Sequence, residues 1–422
     1  MSHSIFDIRR HPLALCMCAL LGFAALAPVG FAAEKPESQK ISRSIAKEIT
    51  SAQKAMQANQ WSEALKDLEA AEAVGAKSPL STYDKKTIAE FKGICYVRLN
   101  NLKSAQQSYE AALATGGYTA DELPKTYRLL FQLAATNKQD AKAIEYGKQA
   151  SDAGSASPED IVIMAQLYYQ QKDCKNSAVW GDKAVAAFKK AGQPPKEVLY
   201  QLKLQCASDT NDTNGMKAGL YDLIRLTNKS SYWNNLIRLE RQDERDDKNI
   251  LMIYRVMYDT NSMNADTDYI EMAQLLGDAG LPGEAQLVLE KAMSTGVLKD
   301  EHKERTSRLL TALKTRADAD KKGLPQLDAE ANKNPAGQLD VKLGEVYFGA
   351  GDNQNAATAI NRGIGKGQVK QLDEAYVYLG RANVGLKNTA EAKKAFEKLK
   401  SVPNVSPRVL KLWELYSDKL GS

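Results

Sequence analysis

One spacing recurs along this chain and restricts its fold more than any other feature. A small residue is followed by a bulky one three positions on, a small one nine further, a bulky one four further and a small one three further. Gly93, Tyr96, Ala105, Tyr109 and Ala112 fit it fully, and Ala273, Leu276, Ala285, Leu289, Ala292 and Gly344, Tyr347, Ala356, Ile360, Gly363 fit it nearly as well. Looser copies begin at Ala52, Ala165 and Gly380. Residues three and four apart share one face of a helix, so each copy reads as two amphipathic helices joined by a tight turn. Small residues let the paired helices approach, and bulky ones fill the gap where the axes diverge. A motif repeated along 422 residues describes an array of such pairs rather than one globular core.

Local signals agree. Alanine and leucine dominate the apolar residues, and aromatics are only 7%, a mix that loses little on entering a helix. Asn100-Asn101, Gly280-Leu281-Pro282-Gly283 and Gly351-Asp352-Asn353 are helix stops. Ser157-Pro158-Glu159-Asp160 supplies a cap, a first-turn proline and acids beside the positive end of a helix dipole. The last stretch, Pro407 to Leu420, sets Val409, Leu412, Trp413, Leu415 and Tyr416 on one side, as expected of a terminal capping helix.

These residues resemble the tetratricopeptide repeat, an antiparallel helix pair of about 34 residues. The resemblance covers most of residues 41–400 and implies an all-α, right-handed α-solenoid of about ten stacked pairs. The expected organisation is an N-terminal array over 41–227, divergent central helices over 228–262, a C-terminal array over 263–402 and a capping helix over 403–422. The spacing is lost at 228–262, which suggests a hinge there, and it also weakens at 300–335, where the packing of the helices is not predicted. The resemblance further implies a concave groove lined by the first helix of each pair. Its lining here would be Ile94, Val97 and Arg98, then Arg128 and Gln132, then Gln166, Tyr169 and Gln170. Farther on come Ile270 and Gln274, then Val341, Glu345 and Phe348, then Val377 and Arg381. Arginine, glutamine and aromatics together suit a peptide or a helix. The groove lacks the lysine–asparagine cluster that clamps a C-terminal carboxylate.

The N-terminus reads as an export signal. Arg9-Arg10 precede an apolar run from Leu13 to about Leu26, and Gly30-Phe31-Ala32 offers small residues for cleavage after Ala32. Residues 1–32 are therefore expected to be removed, leaving a linker over 33–40 and a periplasmic protein. Cys16 and Cys18 lack the small residues that precede a lipid-attachment cysteine. Cleavage removes two arginines and Asp7, so the net charge falls from +5 to +4. Cys95, Cys174 and Cys206 remain, an odd number that suggests one pair and one buried thiol in an oxidising compartment. Cys95 lies in an apolar helical pattern, while Cys174 and Cys206 sit near helix ends that would bridge if their helices were neighbours.

Several functions are disfavoured. Three histidines occur, and only His302 lies in the body of the chain, so a histidine-rich metal site is excluded; His302 itself, between Glu301 and Lys303, reads as surface decoration. Acidic and basic residues are interspersed, without the basic stripe nucleic acid requires. Gly363-Ile364-Gly365-Lys366-Gly367 is the nearest approach to a phosphate loop and reads instead as a helix stop. The charged run from Arg241 to Lys248 reads as an exposed face. No catalytic constellation, metal site or cofactor is expected.

A closer likeness rests on Tyr269-Ile-Glu-Met-Ala-Gln-Leu-Leu, Gly280-Leu-Pro-Gly-Glu-Ala and Val288-Leu-Glu-Lys-Ala-Met-Ser-Thr-Gly-Val-Leu, with Tyr232-Trp233 and Gly365-Lys-Gly367. These phrases are similar to periplasmic repeat proteins associated with the TonB–ExbB–ExbD system. That resemblance implies a partner, TonB, ExbB or ExbD, rather than a reaction. The alternative expectation is a scaffold of the same fold for outer-membrane or exopolysaccharide assembly.

Overall fold

A computed structural model describes residues 40–242 and 244–421. The expected signal peptide, its cleavage point and nearly all of the linker lie outside the described residues. Among them the fold is all-α, with 20 helices and no strand. Contacts divide the described residues into two compact units that part between Cys206 and Ala207.

The first unit holds α1 (Ala46–Gln57), α2 (Trp61–Val74), α3 (Thr82–Arg98), α4 (Leu102–Ala114), α5 (Leu123–Thr136), α6 (Asp140–Asp152), α7 (Pro158–Gln170) and α8 (Cys174–Lys190). Helix α9 (Glu197–Asp209) contains the division. Helices α1–α8 pair as four antiparallel hairpins, each also touching the next.

Their turns share one chemistry. Asn100 and Lys172 adopt positive φ, and the following backbone N–H, of Asn101 or Asp173, reaches back to Tyr96 or Tyr168 O at 2.8 and 2.9 Å. This six-to-one closure ends a helix. The same Asn101 and Asp173 then cap the next helix, accepting from the N–H of Ser104 and Asn176. A turn that stops one helix and starts another within about three residues makes the hairpin tight.

The repeated spacing has a direct steric cause. A methyl group placed on Gly93 would lie 2.6 Å from the Tyr109 ring, one on Gly344 2.3 Å from Ile360 and one on Gly380 2.3 Å from Phe396. The first small residue of each copy is thus the hole for the bulky residue sixteen later. The α5–α6 hairpin exchanges the roles: Phe131 stands at the small position and packs on Gly147, where a methyl would come 2.9 Å from the ring.

The second unit holds α10 (Thr213–Thr227), α11 (Ser230–Arg241), α12 (Asp247–Asp259), α13 (Asp266–Asp278), α14 (Pro282–Ser294), α15 (Asp300–Lys333), α16 (Gln338–Gly349), α17 (Asn353–Lys366), α18 (Leu372–Gly385), α19 (Thr389–Lys398), a 3-10 turn (Leu399–Ser401) and α20 (Pro407–Lys419). The segment expected as a hinge, 228–262, forms α11 and α12 inside this unit. Their core residues Tyr232, Trp233, Leu236, Met252, Ile253 and Tyr254 are almost wholly buried.

Where the spacing weakens at 300–335, the structure has one helix of 34 residues, α15. It is about 51 Å long at 1.5 Å per residue. No turn interrupts it, although 34 residues is the length of a complete helix pair. Its first half packs on α14 and its second half on α16 and α17, where Leu324, Leu327 and Ala331 meet Leu343 and Ala359. Helices α14 and α16 nonetheless touch directly, because Gly283 and Gly349 have no side chains: a methyl on Gly283 would lie 2.9 Å from the Gly349 Cα.

The terminal helix does more than solvate an end. Phe396 stacks on Trp413 at 4.9 Å between centroids, fixing α20 to α19. The helix also packs on α12, Arg408 donates to Glu240 O at 2.9 Å, and Lys419 donates to Arg225 O at 2.5 Å. The last helix of the unit is therefore held against its first three.

Candidate functional site

The two units treat the expected groove residues differently. In the first, α7 begins with a reciprocal cap: Ser157 accepts from Asp160 N, and Asp160 accepts from Ser157 N. Buried Asp160 also takes Arg128 Nε at 2.6 Å and Gln132 Nε2 at 3.1 Å. Two expected groove residues are thus positioned by the following hairpin. Arg128 keeps 38% of its side chain exposed. Arg98 is exposed, with its guanidinium 5.4 Å from the Trp61 ring centre. Gln166 and Tyr169 are half-buried and Gln170 is exposed.

The same device occurs two hairpins earlier, where Asp84 accepts from Ser42 Oγ at 2.6 Å and Ser81 Oγ at 2.7 Å. These hydrogen bonds hold the Asp84 carboxyl below its ordinary pKa against the upward push of burial. Each of these acids fastens one hairpin to its predecessor.

In the second unit Val341, Val377 and Arg381 are internal, while Ile270, Gln274 and Phe348 are half-buried. Val341 and Val377 are core residues, and Glu345 is nearly buried beside Lys342, its carboxyl pushed up by burial. Arg381 is 6% exposed. It grips Asp259 of α12 through Nε at 2.8 Å and Nη2 at 3.1 Å, and its Nη1 pairs with Glu284 of α14. Glu284 also takes Arg255 Nη2 at 2.9 Å and Tyr378 Oη at 2.5 Å, and the Arg255 guanidinium lies 4.6 Å from the Tyr378 ring centre. Phe348, another expected groove residue, lies edge-on to Tyr378 and under Arg381. Arg381 therefore serves the interior instead of a groove surface, because α12 and α14 carboxylates meet the inner face of α18. Lys248 of α12 completes the closure, reaching Asp373 of α18 at 2.8 Å.

Burial drives the Glu284 carboxyl upward, but Arg255 and Arg381 overcome it and hold the pKa at about 2. Asp259 goes the other way: desolvation outweighs Arg381 and raises it.

His302 is not surface decoration. Its Nδ1 lies 2.7 Å from Asp266 Oδ2, a carboxylate that is 1% exposed and held down chiefly by that contact. It fastens the start of α15 to the start of α13, beside Gln274, another expected groove residue. The charged run near 241–248 is committed as well. Arg241 pairs with Glu271, Arg408 lies 3.7 Å from Glu244, and Asp246 caps α12. Gly367 is the stop of α17, at φ 74°, and accepts from Gly337 N at 2.8 Å.

Cys174 and Cys206 form a disulfide with Cα atoms 5.7 Å apart. It ties the first residue of α8 to the α9 helix. Cys95 is free and buried, its thiol pushed up to about 11 by desolvation. No group of three or more histidine, cysteine or acidic side chains is placed to hold a metal among the described residues. No described helix is long and apolar enough to cross a membrane.

Hairpins of about this length, stacked through small-to-bulky contacts and closed by tight turns, define the tetratricopeptide-repeat fold. No family model matches the chain, and no curated protein does. Solved structures do. The chain is similar to one in a structure of Naa15/Naa10 bound to HypK-THB, at 14% identity and a TM-score of 0.40, covering 86% of this chain and 59% of that one. It is also similar to a tetratricopeptide repeat protein from Parabacteroides merdae, at 13% identity and a TM-score of 0.28, covering 89% and 99%. The TPR2AB domain of yeast Sti1, in its pHSP90 complex, is similar at 12% identity and a TM-score of 0.33, covering 64% and 98%.

Proposed function

We propose that this chain is a non-catalytic periplasmic scaffold that binds an extended or helical segment of a protein partner. The binding face is that of the first unit, formed by Arg98, Arg128, Gln132, Gln166, Tyr169 and Gln170. One observation carries this reading: Arg128 is held through Nε alone, with more than a third of its side chain still exposed, whereas its counterpart Arg381 is spent on internal carboxylates. A guanidinium fixed before binding loses little entropy on meeting a ligand. Shape and hydrogen bonding do the work, and no bond is made or broken.

The partner is a component of the TonB–ExbB–ExbD system, on the likeness carried by residues 269–298. A scaffold for outer-membrane or exopolysaccharide assembly is the competing reading. The export signal read in residues 1–32 and the disulfide both fit an oxidising compartment.

Crosslinking and affinity capture from the periplasm, followed by mass spectrometry, tests both. Recovery of TonB, ExbB or ExbD, lost in the double variant Arg98→Glu, Arg128→Glu, supports the first reading. Recovery of outer-membrane assembly factors alone moves the conclusion to the second. Capture undiminished in the double variant removes the first unit's face from the mechanism.

A further inference from the structure

A cleft of about 340 Å³ opens inside the second unit where α12, α14, α16, α18 and α20 converge. That is the size of a small-ligand pocket. Tyr258, Leu287, Phe348, Val384 and Tyr416 give it an apolar lining, and Lys291, Asn261 and Asn353 stand among its polar groups.

The charges in this lining are not matched. Arg381 commits Nε and both terminal nitrogens to Asp259 and Glu284, and Glu284 is further bound by Arg255 and Tyr378. Lys291 meets only uncharged oxygens, Asn261 Oδ1 at 2.7 Å and Tyr258 O at 3.3 Å, with its ammonium 4.1 Å from the Tyr258 ring centre. An ammonium has three donors, and two acceptors are present. The nearby Asp259 is already gripped by Arg381, so Lys291 Nζ makes no direct ion pair and keeps one donor unspent. Burial accordingly lowers the Lys291 pKa, against the pull of Asp259.

The chemistry narrows the ligand. A cation would find the cleft's carboxylates already taken by arginine. A phosphate carries close to two negative charges at neutral pH, and with Arg381 committed the lining offers it, among the described residues, one free cation, Lys291. One ammonium, side-chain amides and aromatic walls fit a single negative charge on an apolar body.

We propose that the cleft binds a small organic monocarboxylate with a compact aryl or branched alkyl body. Its carboxylate pairs with Lys291 Nζ, the amides of Asn261 and Asn353 supply further donors, and its hydrocarbon lies against Tyr258, Phe348 and Val384. This is a site separate from the partner-binding face of the first unit and independent of it.

Titration calorimetry of the full chain with 3-phenylpropionate and 4-methylpentanoate, each beside its primary amide, tests the assignment. The acids are expected to bind at least about tenfold more tightly than the amides, a difference of about 1.4 kcal/mol. Lys291→Met should bring the acids down to the amide level, with its circular-dichroism melt checked alongside. Val384→Phe, which leaves every charge in place, should weaken acids and amides alike by filling the cleft. No saturable binding of either acid, equal affinity for acid and amide, or acid binding unchanged in both variants overturns the proposal. So does binding confined to peptides ending in a free carboxylate, which would make the cleft part of a protein-recognition surface.

Discussion

The two units use acids on the inner faces of their helices to opposite ends. Asp160 in the first takes Arg128 and Gln132 from the preceding hairpin and leaves the arginine partly in solvent. Glu284 in the second is 4% exposed and draws in Arg255 and Arg381 from both sides. The first arrangement aligns neighbours and preserves a face. The second closes the face, because α12 and α20 are brought round to meet α18 and α19. One fold thus yields a presenting surface in one unit and an internal ionic cluster beside a small cleft in the other, and what decides is whether the inward acids are met by adjacent or by distant hairpins.

The sharpest way to break this contrast is Arg381→Leu. Removing Arg381 strips Asp259 of its cation and leaves Glu284 with Arg255 alone, and breaking a buried ion pair costs about 3–5 kcal/mol. Hydrogen exchange should report it as lost protection over 247–259 and 372–385. Acid should act on the same cluster. Glu284 has a depressed folded pKa, about 2 against an ordinary 4.5. Its contribution is therefore complete above pH 4.5 and lost as pH falls toward 2. Asp259, raised by burial, opposes it. Exchange in those segments should rise across that window before the α3–α6 segments respond; simultaneous loss would mean the cluster is no weak point.

Reducing the Cys174–Cys206 bond should come next in size. The two residues are 32 apart, and closing a loop of that length stabilises by about 3–4 kcal/mol in the chain-entropy account. The Cys174→Ala, Cys206→Ala variant should lower the melting temperature, and dithiothreitol should reproduce the shift in the parent and leave the variant unmoved.

The glycines give effects of opposite sign. Gly93→Ala drives a methyl into the Tyr109 ring and should cost about 1–3 kcal/mol. Gly181 also sits inside a helix and is buried, yet a methyl there meets nothing within 4 Å. Gly181→Ala should stabilise by about 0.5–1 kcal/mol through backbone entropy alone. Chemical denaturation of the pair checks whether close approach, and not helix propensity, placed the small residues of the spacing.

Much of this architecture was legible because hairpin packing is local. Gly93 and Tyr109 lie sixteen residues apart, so their contact prints a pattern on the chain. The α5–α6 hairpin escaped the pattern because Phe131 and Gly147 exchange hole and knob, a swap that preserves packing and reverses the template. The long α15 was not legible: the spacing only weakens over 300–335, and what separates one long helix from a helix pair is a turn residue at positive φ, which the described residues 300–333 lack. Arg381 was misassigned for a different reason. Its partners Asp259 and Glu284 are 122 and 97 residues away, and nothing local distinguishes an arginine facing a groove from one facing a distant carboxylate. His302 failed likewise, since Asp266 lies 36 residues earlier.

The smallest expected effect is the one that separates alignment from burial. Arg128→Ala removes a pair whose arginine is 38% exposed, so solvent screens it and the loss of stability should be at most about 1 kcal/mol. Arg128→Lys keeps the charge but not the planar fork, and a flexible ammonium is not held in the same way. If Asp160 serves to orient the guanidinium for a partner, both variants should melt close to the parent yet bind the captured partner more weakly, with Lys between Ala and Arg. Partner affinity that tracks stability in both variants would instead make the Arg128–Asp160 pair a fastener between hairpins and nothing more.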